Sequence, residues 1–567
     1  MKVTIKSLFV AAGLLFAGMA NGQTIQQGLT QLDGDQPLKA RTTFESVVKA
    51  SPTAENYYYL GYALLRSGQI EAAKANFEKG ITADAKNPLN TVGLGTILLS
   101  EKNLAGAKAI FDKVLLDTKS KNADVLYRIA EAYTLFDHTN DPGEAVRLID
   151  LIAEKTKKPL TADQWLVKGD AFLLKNDGGP AVSAYDQSVF TAKSAKALLK
   201  IGVVYLRGKN YQQTVNSYQQ SFETDSSYAP YYKRMGEYYI IFNRYKQAAS
   251  YFRKYVEKAE ASPLILLETA KLMFLAKDYA GALEYIKQAE AGGARDNDVF
   301  RMNGYSLIEM GKCKEGIDNL ELMVKAGVKP YFLDNVYFAK GYQCVGNDSL
   351  AVHYFEQAAP LDTNNNHYAQ ISTIRYKQKK YAESATAALK AIDWKIAKKQ
   401  ALSSKDWNDV AMAQYFLTAY TPREDTLKRA SLGTAADSSF AKAIAINDKW
   451  PAFQIFRART NNYIDFTGTK WLAQPHYEKF LAAVDAQKAD ASSKYTPNKE
   501  QLYEAYRYLV GYHNTVTKDL TKVQEFVTKA VEIKTEDPDK LKEILNPTPA
   551  APATPVKPAT PAKPTKK

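Results

Sequence analysis

Apolar and polar residues follow each other along the chain with the spacing of amphipathic helices, in segments of about 12 to 15 residues. Polar turn segments separate these helices, for example at 67–69, 175–177, 208–210 and 346–348. The pattern predicts an all-α chain of helical hairpins. One hairpin cannot bury its apolar face alone, so we expect neighbouring hairpins to stack.

A small residue returns along the chain with most gaps between 33 and 35 residues. These positions are Gly28, Gly61, Gly95, Ala130, Gly169, Gly202, Gly236, Ala270, Gly304, Ala339 and Ser372. In most units a second small residue follows twelve positions later and a large apolar residue four positions after that, as in Gly61, Ala73 and Phe77. This register predicts a helical solenoid. The small residues let paired helices approach, and the aromatic residue fills the gap against the next unit.

Segments 54–87 and 227–259 carry the pattern clearly. The first has Leu60, Gly61, Ala73, Phe77 and Asp84 at the marked positions, and the second has Gly236, Tyr239, Ala248 and Phe252. With these residues the chain resembles tetratricopeptide repeat proteins. The resemblance implies a right-handed superhelical solenoid of about 11 hairpins over residues 23–393, with a concave groove for protein ligands.

The repeat pattern weakens after residue 393. Residues 394–545 hold further predicted helices, but the connections at 421–434 and 485–498 are longer than the repeat needs. We interpret 394–545 as a diverged helical continuation of the array, and a separate small helical domain is the alternative. Residues 546–567, rich in Pro, Ala and Lys, cannot form a core and are predicted to be an extended, disordered tail.

The first 22 residues have the composition of a cleaved secretory signal. Lys2 and Lys6 precede a short apolar run, and Ala20 and Gly22 stand before Gln23. No later stretch reaches 18 uninterrupted apolar residues, so we expect no transmembrane segment after signal removal. The chain is therefore expected to be exported. The periplasm of a Gram-negative cell is its predicted location, and an extracellular or outer-membrane-associated location is the alternative.

The chain has 46% hydrophobic and 24% charged residues, as globular proteins do, and a formal charge of +14. Six of its lysines lie in the predicted signal and tail: Lys2, Lys6, Lys557, Lys563, Lys566 and Lys567. The remaining excess is modest. For an exported chain it favours acidic proteins or anionic envelope polymers over nucleic acid as partners. The Lys-Pro tail is expected to contact anionic cell-wall or membrane surfaces by charge.

Tyrosines are concentrated in the first helix of the 54–87 unit. Tyr58, Tyr59 and Tyr62 fall at the fifth, sixth and ninth positions of the repeat, on the side expected to line the groove. Two interpretations are open. The tyrosines pack as ordinary amphipathic residues, or they offer a partner apolar area and hydroxyl groups at little cost in side-chain entropy.

A basic stretch is expected in the middle of the same groove, formed by Lys200, Lys233 and Arg234. It is either a solvated face or part of a partner site. Proteins that the chain resembles include clamps for a partner's terminal carboxylate, and these need asparagines where this chain has Val203 and Glu237. A clamp of that kind is not expected here.

The two cysteines, Cys313 and Cys344, fall near the same edge of adjacent predicted hairpins. A disulfide between them is geometrically plausible and would suit an oxidising compartment. The alternative is a pair of small buried hydrophobic residues.

Motifs for catalysis or metal binding are missing from the sequence. It has no phosphate-binding glycine loop and no nucleophile elbow, and its five histidines are isolated from one another. We expect no cofactor and no enzymatic activity. The leading hypothesis is an envelope scaffold that binds partner proteins in its groove. One alternative is a glycan- or peptidoglycan-binding envelope protein. The least favoured is an enzyme with an unrecognised site in 394–545, a region that Trp407, Trp450, Trp471 and His476 make aromatic, as sugar-binding surfaces often are.

Overall fold

The computed structural model describes residues 24–295 and 297–545. These residues form helices and turns and include no β-strand. The predicted signal peptide, 1–22, and the predicted tail, 546–567, lie outside the described residues. The chain divides into two compact units, with the boundary between Lys312 and Cys313.

Unit 1 consists of consecutive helices joined by short turns. They are α1 (24–33), α2 (Pro37–Ala50), α3 (Ala54–Arg66), α4 (Ile70–Ala83), α5 (Leu89–Ser100), α6 (Leu104–Asp117), α7 (Ala123–Ala132), α8 (Pro142–Thr156), α9 (Ala162–Leu174), α10 (Gly178–Thr191), α11 (Ala195–Arg207), α12 (Tyr211–Thr224), α13 (Ala229–Ile241), α14 (Tyr245–Lys258), α15 (Pro263–Leu275), α16 (Tyr279–Ala291) and α17 (Asn297–Glu309).

Unit 2 continues with helices of the same kind. They are α18 (Cys313–Lys325), α19 (Phe332–Cys344), α20 (Asp348–Ala358), α21 (His367–Lys377), α22 (Tyr381–Ala397), α23 (Ser404–Tyr420), α24 (Thr426–Ile446), α25 (Pro451–Ile464), α26 (Gln474–Ala489), α27 (Lys499–Tyr512), α28 (Leu520–Ile533) and α29 (Leu541–Leu545). Of these helices, α22, α23, α24 and α26 are longer, with 16 to 21 residues. A single π-helical turn, His513–Thr517, follows α27. Helices pair consecutively in both units, so the predicted all-α hairpin architecture is confirmed.

In several hairpins, two adjacent residues form the turn between the helices. A residue with left-handed backbone ends the first helix, for example Lys102 at φ 66° or Lys209 at φ 57°. The next residue, Asn103 or Asn210, accepts a hydrogen bond from the third N–H of the second helix through its side chain. The chain is thereby reversed within a few residues, and the two helices lie against each other.

The small residue and the aromatic residue of each unit are in direct contact. A Cβ atom built on Gly61 would lie 2.5 Å from Cε1 of Phe77, and one built on Gly93 of the next hairpin would lie 2.4 Å from the same atom. Phe77 therefore fills the gap against the next unit, as predicted, and also covers the glycine of its own hairpin. The same ring-on-glycine contact joins Gly95 to Phe111 and Gly169 to Tyr185.

Residues 394–545 continue the hairpin pattern in unit 2. Helix α23 packs on α22, and α24 packs on α25, so this region adjoins the preceding hairpin through helix contacts. Phe440 and Ala411 belong to one buried cluster with Tyr415. Our interpretation of 394–545 as a diverged continuation stays a prediction.

The ring-on-glycine contact makes a prediction about stability. Phe77 has a glycine on both sides and cannot move away from a new methyl group, so Gly61→Ala should lower the free energy of unfolding by about 2 kcal/mol. Gly179→Ala is the matched control, because a Cβ there meets no atom within 4 Å and alanine favours a helix. Urea unfolding followed by circular dichroism checks both. Equal midpoints for the two variants would contradict the role of the contact.

Candidate functional site

The tyrosines of α3 lie in a packed interior of unit 1. Tyr58 is 3% exposed and Tyr62 is 6% exposed. The Tyr62 hydroxyl donates to Oε1 of Glu131 at 3.0 Å and accepts from Nη1 of Arg66 at 3.0 Å. Tyr59 is half-buried and stacks on Phe44, with ring centroids 6.0 Å apart. Tyr58 and Tyr62 are thus covered by their own chain in this structure.

Arg128 of α7 is the centre of this interior. Its guanidinium carbon lies 5.7, 5.6 and 5.6 Å from the ring centroids of Tyr58, Tyr59 and Tyr62, and 4.8 Å from that of Tyr127. Its Nη1 donates to Glu131 Oε2 at 2.7 Å, and its side chain is only 10% exposed. Burial lowers the pKa of Arg128, but Glu131 and the phenols hold it well above its ordinary value. The charge is satisfied by cation–π contacts and one ion pair.

Two of the three cations of the predicted basic stretch form ion pairs with neighbouring carboxylates. Lys200 donates to Oδ1 of Asp170 at 2.6 Å, and Arg234 donates to Oε2 of Glu237 at 2.7 Å. Lys233 lies with its Nζ 5.8 Å from the ring centroid of Tyr255. Lys200 and Arg234 are therefore paired with carboxylates of unit 1, and Arg234 keeps 43% of its side-chain area exposed.

A cluster of aromatic rings in unit 2 was not recognised in the sequence. We call it the aromatic surface, and it consists of Tyr376, Tyr381, Phe416 and Tyr420. The ring of Tyr381 stacks on Tyr420 at 5.6 Å and 9°, and on Phe416 at 5.3 Å and 19°. Tyr376 meets Tyr381 and Phe416 edge-on. A signal was present, because Phe416 and Tyr420 are four residues apart and share one face of α23.

The aromatic surface opens to solvent at one end and is flanked by lysines. Tyr420 is 66% exposed, whereas the other three rings are half-buried. Tyr381 and Tyr420 line a cleft with Lys379, Lys380 and Lys428. Burial raises the pKa of Tyr376 to about 12, so that this phenol keeps its proton at neutral pH. The arrangement offers apolar area beside positive charge.

Comparison with known proteins identifies the type of repeat that the helical pairs form. Segments 54–87, 196–223 and 234–297 each match a model of the tetratricopeptide repeat. This chain carries tetratricopeptide repeats. Proteins with these repeats are generally non-catalytic scaffolds for protein interactions.

One curated relative and two solved structures are similar to this repeat chain. Tetratricopeptide repeat protein 1 of Schizosaccharomyces pombe is 30% identical over 81 residues, which are 14% of this chain and 8% of that protein. The C-terminal part of a repeat-containing protein from Cytophaga hutchinsonii is 23% identical, with 49% of this chain and 99% of that chain covered and a TM-score of 0.35. A tetratricopeptide repeat protein from Parabacteroides merdae is 17% identical, with coverages of 44% and 96% and a TM-score of 0.31.

His476, the centre of the enzymatic alternative, lies beside an ion pair. Arg457 donates to both carboxylate oxygens of Asp437, at 2.8 and 3.2 Å, and Asn461 donates to the same group at 2.6 Å. Burial and Arg457 lower the pKa of His476 to about 4, so the imidazole is neutral at neutral pH. No group of three or more His, Cys, Asp or Glu side chains suited to a metal ion occurs among the described residues. The expectation of no cofactor stays a prediction.

Three tryptophans of residues 394–545 pack against different side chains. Trp407 has the Nζ of Lys442 4.0 Å from its ring centroid, Trp450 meets Tyr495, and Trp471 meets Tyr508 edge-on.

None of the helices in the described part of the chain has the length and hydropathy of a membrane span.

Cys313 and Cys344 are joined by a disulfide in the structure, with Cα atoms 6.1 Å apart. The bond ties the start of α18 to the end of α19, 31 residues further along the chain. These two helices are adjacent in unit 2, so the crosslink fixes one helix pair.

The interior around Arg128 makes a second prediction about stability. Arg128→Ala leaves Glu131 buried without its cation, so we expect a loss of about 3 kcal/mol in the free energy of unfolding. Lys113→Ala removes an exposed cation on α6 and should change stability by less than about 0.5 kcal/mol. Urea unfolding of both variants tests this. An Arg128 variant as stable as the Lys113 variant would contradict the assigned role.

The disulfide predicts a redox-dependent stability for unit 2. Replacing both cysteines by serine, or reducing the bond, should lower the free energy of unfolding by about 3 to 4 kcal/mol, because the bond restricts the unfolded chain. Urea unfolding with and without dithiothreitol measures the effect, and the double serine variant should not respond to the reductant. Free thiols at both positions in the native exported protein, found by mass mapping, would rule out the bond.

Proposed function

We propose that this protein is a non-catalytic scaffold of the cell envelope that binds a partner protein through the aromatic surface of unit 2. The single observation that carries the proposal is the exposed, lysine-flanked end of the stack at Tyr420. Large exposed aromatic groups are costly to leave in water and are enriched where proteins bind each other. In unit 1, Tyr58 and Tyr62 are buried and Lys200 is paired with Asp170, so these side chains offer less free surface than Tyr420 does.

The chemistry of the cleft favours a particular kind of partner segment. Leu417 and Tyr420 provide apolar contact, and Lys379, Lys380 and Lys428 provide positive charge. Glu383 also lines the cleft and pairs with Arg375 at 2.9 Å and with Lys380 at 3.9 Å, so it offsets part of this positive charge. A partner segment with an aromatic or aliphatic anchor beside Asp or Glu residues fits this combination.

A protein partner suits this surface better than a glycan does. Sugar rings bind to the free faces of aromatic side chains, but Tyr381 and Phe416 have faces covered by each other, and Tyr381 also stacks on Tyr420. The open part is the remaining area of Tyr420 and the neighbouring Leu417. Such a surface accepts an inserted side chain of a protein.

Export to the periplasm is part of the proposal. It is supported by the signal-like composition of residues 1–22 and by the disulfide between Cys313 and Cys344, which persists in oxidising compartments. The lysine-rich residues 546–567 add a proposed electrostatic contact with the anionic cell wall or membrane.

In-cell photocrosslinking tests the proposed surface. A photoreactive amino acid in place of Tyr420 should give one dominant protein adduct in the periplasmic fraction, because a specific partner would cover this ring. Tyr420→Ala should then weaken binding of that partner about tenfold, the effect of losing one aromatic anchor.

Leu361 is the matched control position, since it is also an exposed apolar residue of unit 2. Adducts at Tyr420 that do not exceed those at Leu361 would overturn the proposed surface. An adduct found only in the cytoplasmic fraction would overturn the proposed location and leave the protein-binding surface intact.

A further inference from the structure

The turn between α1 and α2 is held by helices that come much later in unit 1. Lys196 of α11, 163 residues further along, donates to Oδ1 of Asp33 at 2.6 Å. Tyr255 of α14, 220 residues after Asp35, donates to Oδ2 of Asp35 at 2.9 Å. Both carboxylates of the acidic turn Asp33-Gly34-Asp35 therefore have specific donors on the inner side of the array.

Backbone groups complete this contact. The N–H of Glu260 donates to the carbonyl of Asp35 at 3.0 Å, and the Gln36 side chain donates to the carbonyl of Lys258 at 2.7 Å. The carboxylate of Glu260 accepts from the backbone N–H of Lys39 at 2.8 Å and from that of Leu38. The acidic turn is thus bound in the way that a separate peptide would be bound.

Glu260 replaces a cap that α2 does not supply for itself. Gln36, the N-cap residue of α2, makes no capping hydrogen bond with its side chain, and the first turn of α2 contains no acidic residue. Free N–H groups at the start of a helix favour an acceptor with negative charge. The carboxylate of Glu260 accepts hydrogen bonds from two of these N–H groups.

The side chains that surround the acidic turn respond to burial and to the charges of its two carboxylates. The pKa of Tyr228, beside the turn, lies well above its ordinary value, first because the phenol is buried and then because Asp33 and Asp35 oppose its ionisation. Burial lowers the pKa of Lys196, and Asp33 more than offsets that effect. The Lys196–Asp33 pair keeps 32% and 39% of its side-chain area exposed, so water reaches this ion pair.

We propose that Lys196, Tyr255, Lys258 and Glu260 form a binding site for an acidic turn that has two carboxylates with one residue between them. The chain's own turn, Asp33-Gly34-Asp35, occupies this site in cis. A partner carrying such a turn binds there only after α1 and α2 are displaced. The site would then be a second docking position, independent of the aromatic surface.

A competition experiment with the full exported chain from Gln23 tests this inference. The double substitution Asp33→Asn/Asp35→Asn weakens the binding of the chain's own turn and leaves the side chains of the proposed site unchanged. Asn suits position 35, where φ is 56°. A fluorescent synthetic peptide of residues 24–50 with both aspartates should bind this variant at least about tenfold more tightly than it binds the wild-type chain, because the site is vacated more often. Fluorescence anisotropy measures the two affinities.

Matched controls separate recognition of the turn from general loosening. The same peptide with both aspartates changed to Asn should bind poorly, and a further Lys196→Ala change in the chain should abolish the gain in affinity. Hydrogen exchange should rise in 24–50 and stay unchanged in α9 and α10, which shows that the rest of unit 1 is folded. Equal affinity for both chains, equal affinity for both peptides, or no binding to either chain would overturn the inference.

Discussion

The contact between an aromatic ring and a glycine inside one hairpin is the constraint on which the array depends. Cβ positions on Gly61, Gly95 and Gly169 would all fall 2.4 to 2.5 Å from a ring atom of the same hairpin, closer than any side chain tolerates. The ring can take its place only because a Cβ is missing opposite it. The contact sets the separation of the two helices, and that separation determines which surfaces each hairpin presents to the next.

A stack of hairpins turns one side of every first helix toward the interior, and polar groups there must find partners. Arg128 has Glu131 and four tyrosine rings, and Lys200 has Asp170. An unpaired buried charge would cost far more than the pairing gains, so each of these groups is tied to its neighbours. Tyr58, Tyr62 and Lys200 are consequently parts of a structural network in unit 1.

The surfaces available for binding are those whose side chains are not fully paired with neighbouring side chains. The ring stack of unit 2 ends at Tyr420, which faces solvent, and the nearby lysines of the cleft outnumber the carboxylates beside them. In unit 1 the acidic turn at Asp33 fills a polar site formed by α11 and α14, which we propose as a second docking position. The same hairpin architecture thus supports two different kinds of contact, one apolar and exposed, the other polar and internally occupied.

The sequence by itself determined the all-α architecture, the length of the repeat, most turns, and the pairing of small with aromatic residues. These depend on interactions within one hairpin, as between Gly61 and Phe77, and so they recur in the sequence with a fixed spacing. Phe416 and Tyr420 could also have been recognised, from their spacing on α23. Only the tertiary structure decided that Tyr62 meets Glu131, 69 residues away, and that Glu260 caps α2 across more than 220 residues. Such contacts depend on the small rotation between successive hairpins, summed over many of them, and no local pattern of residues records that sum.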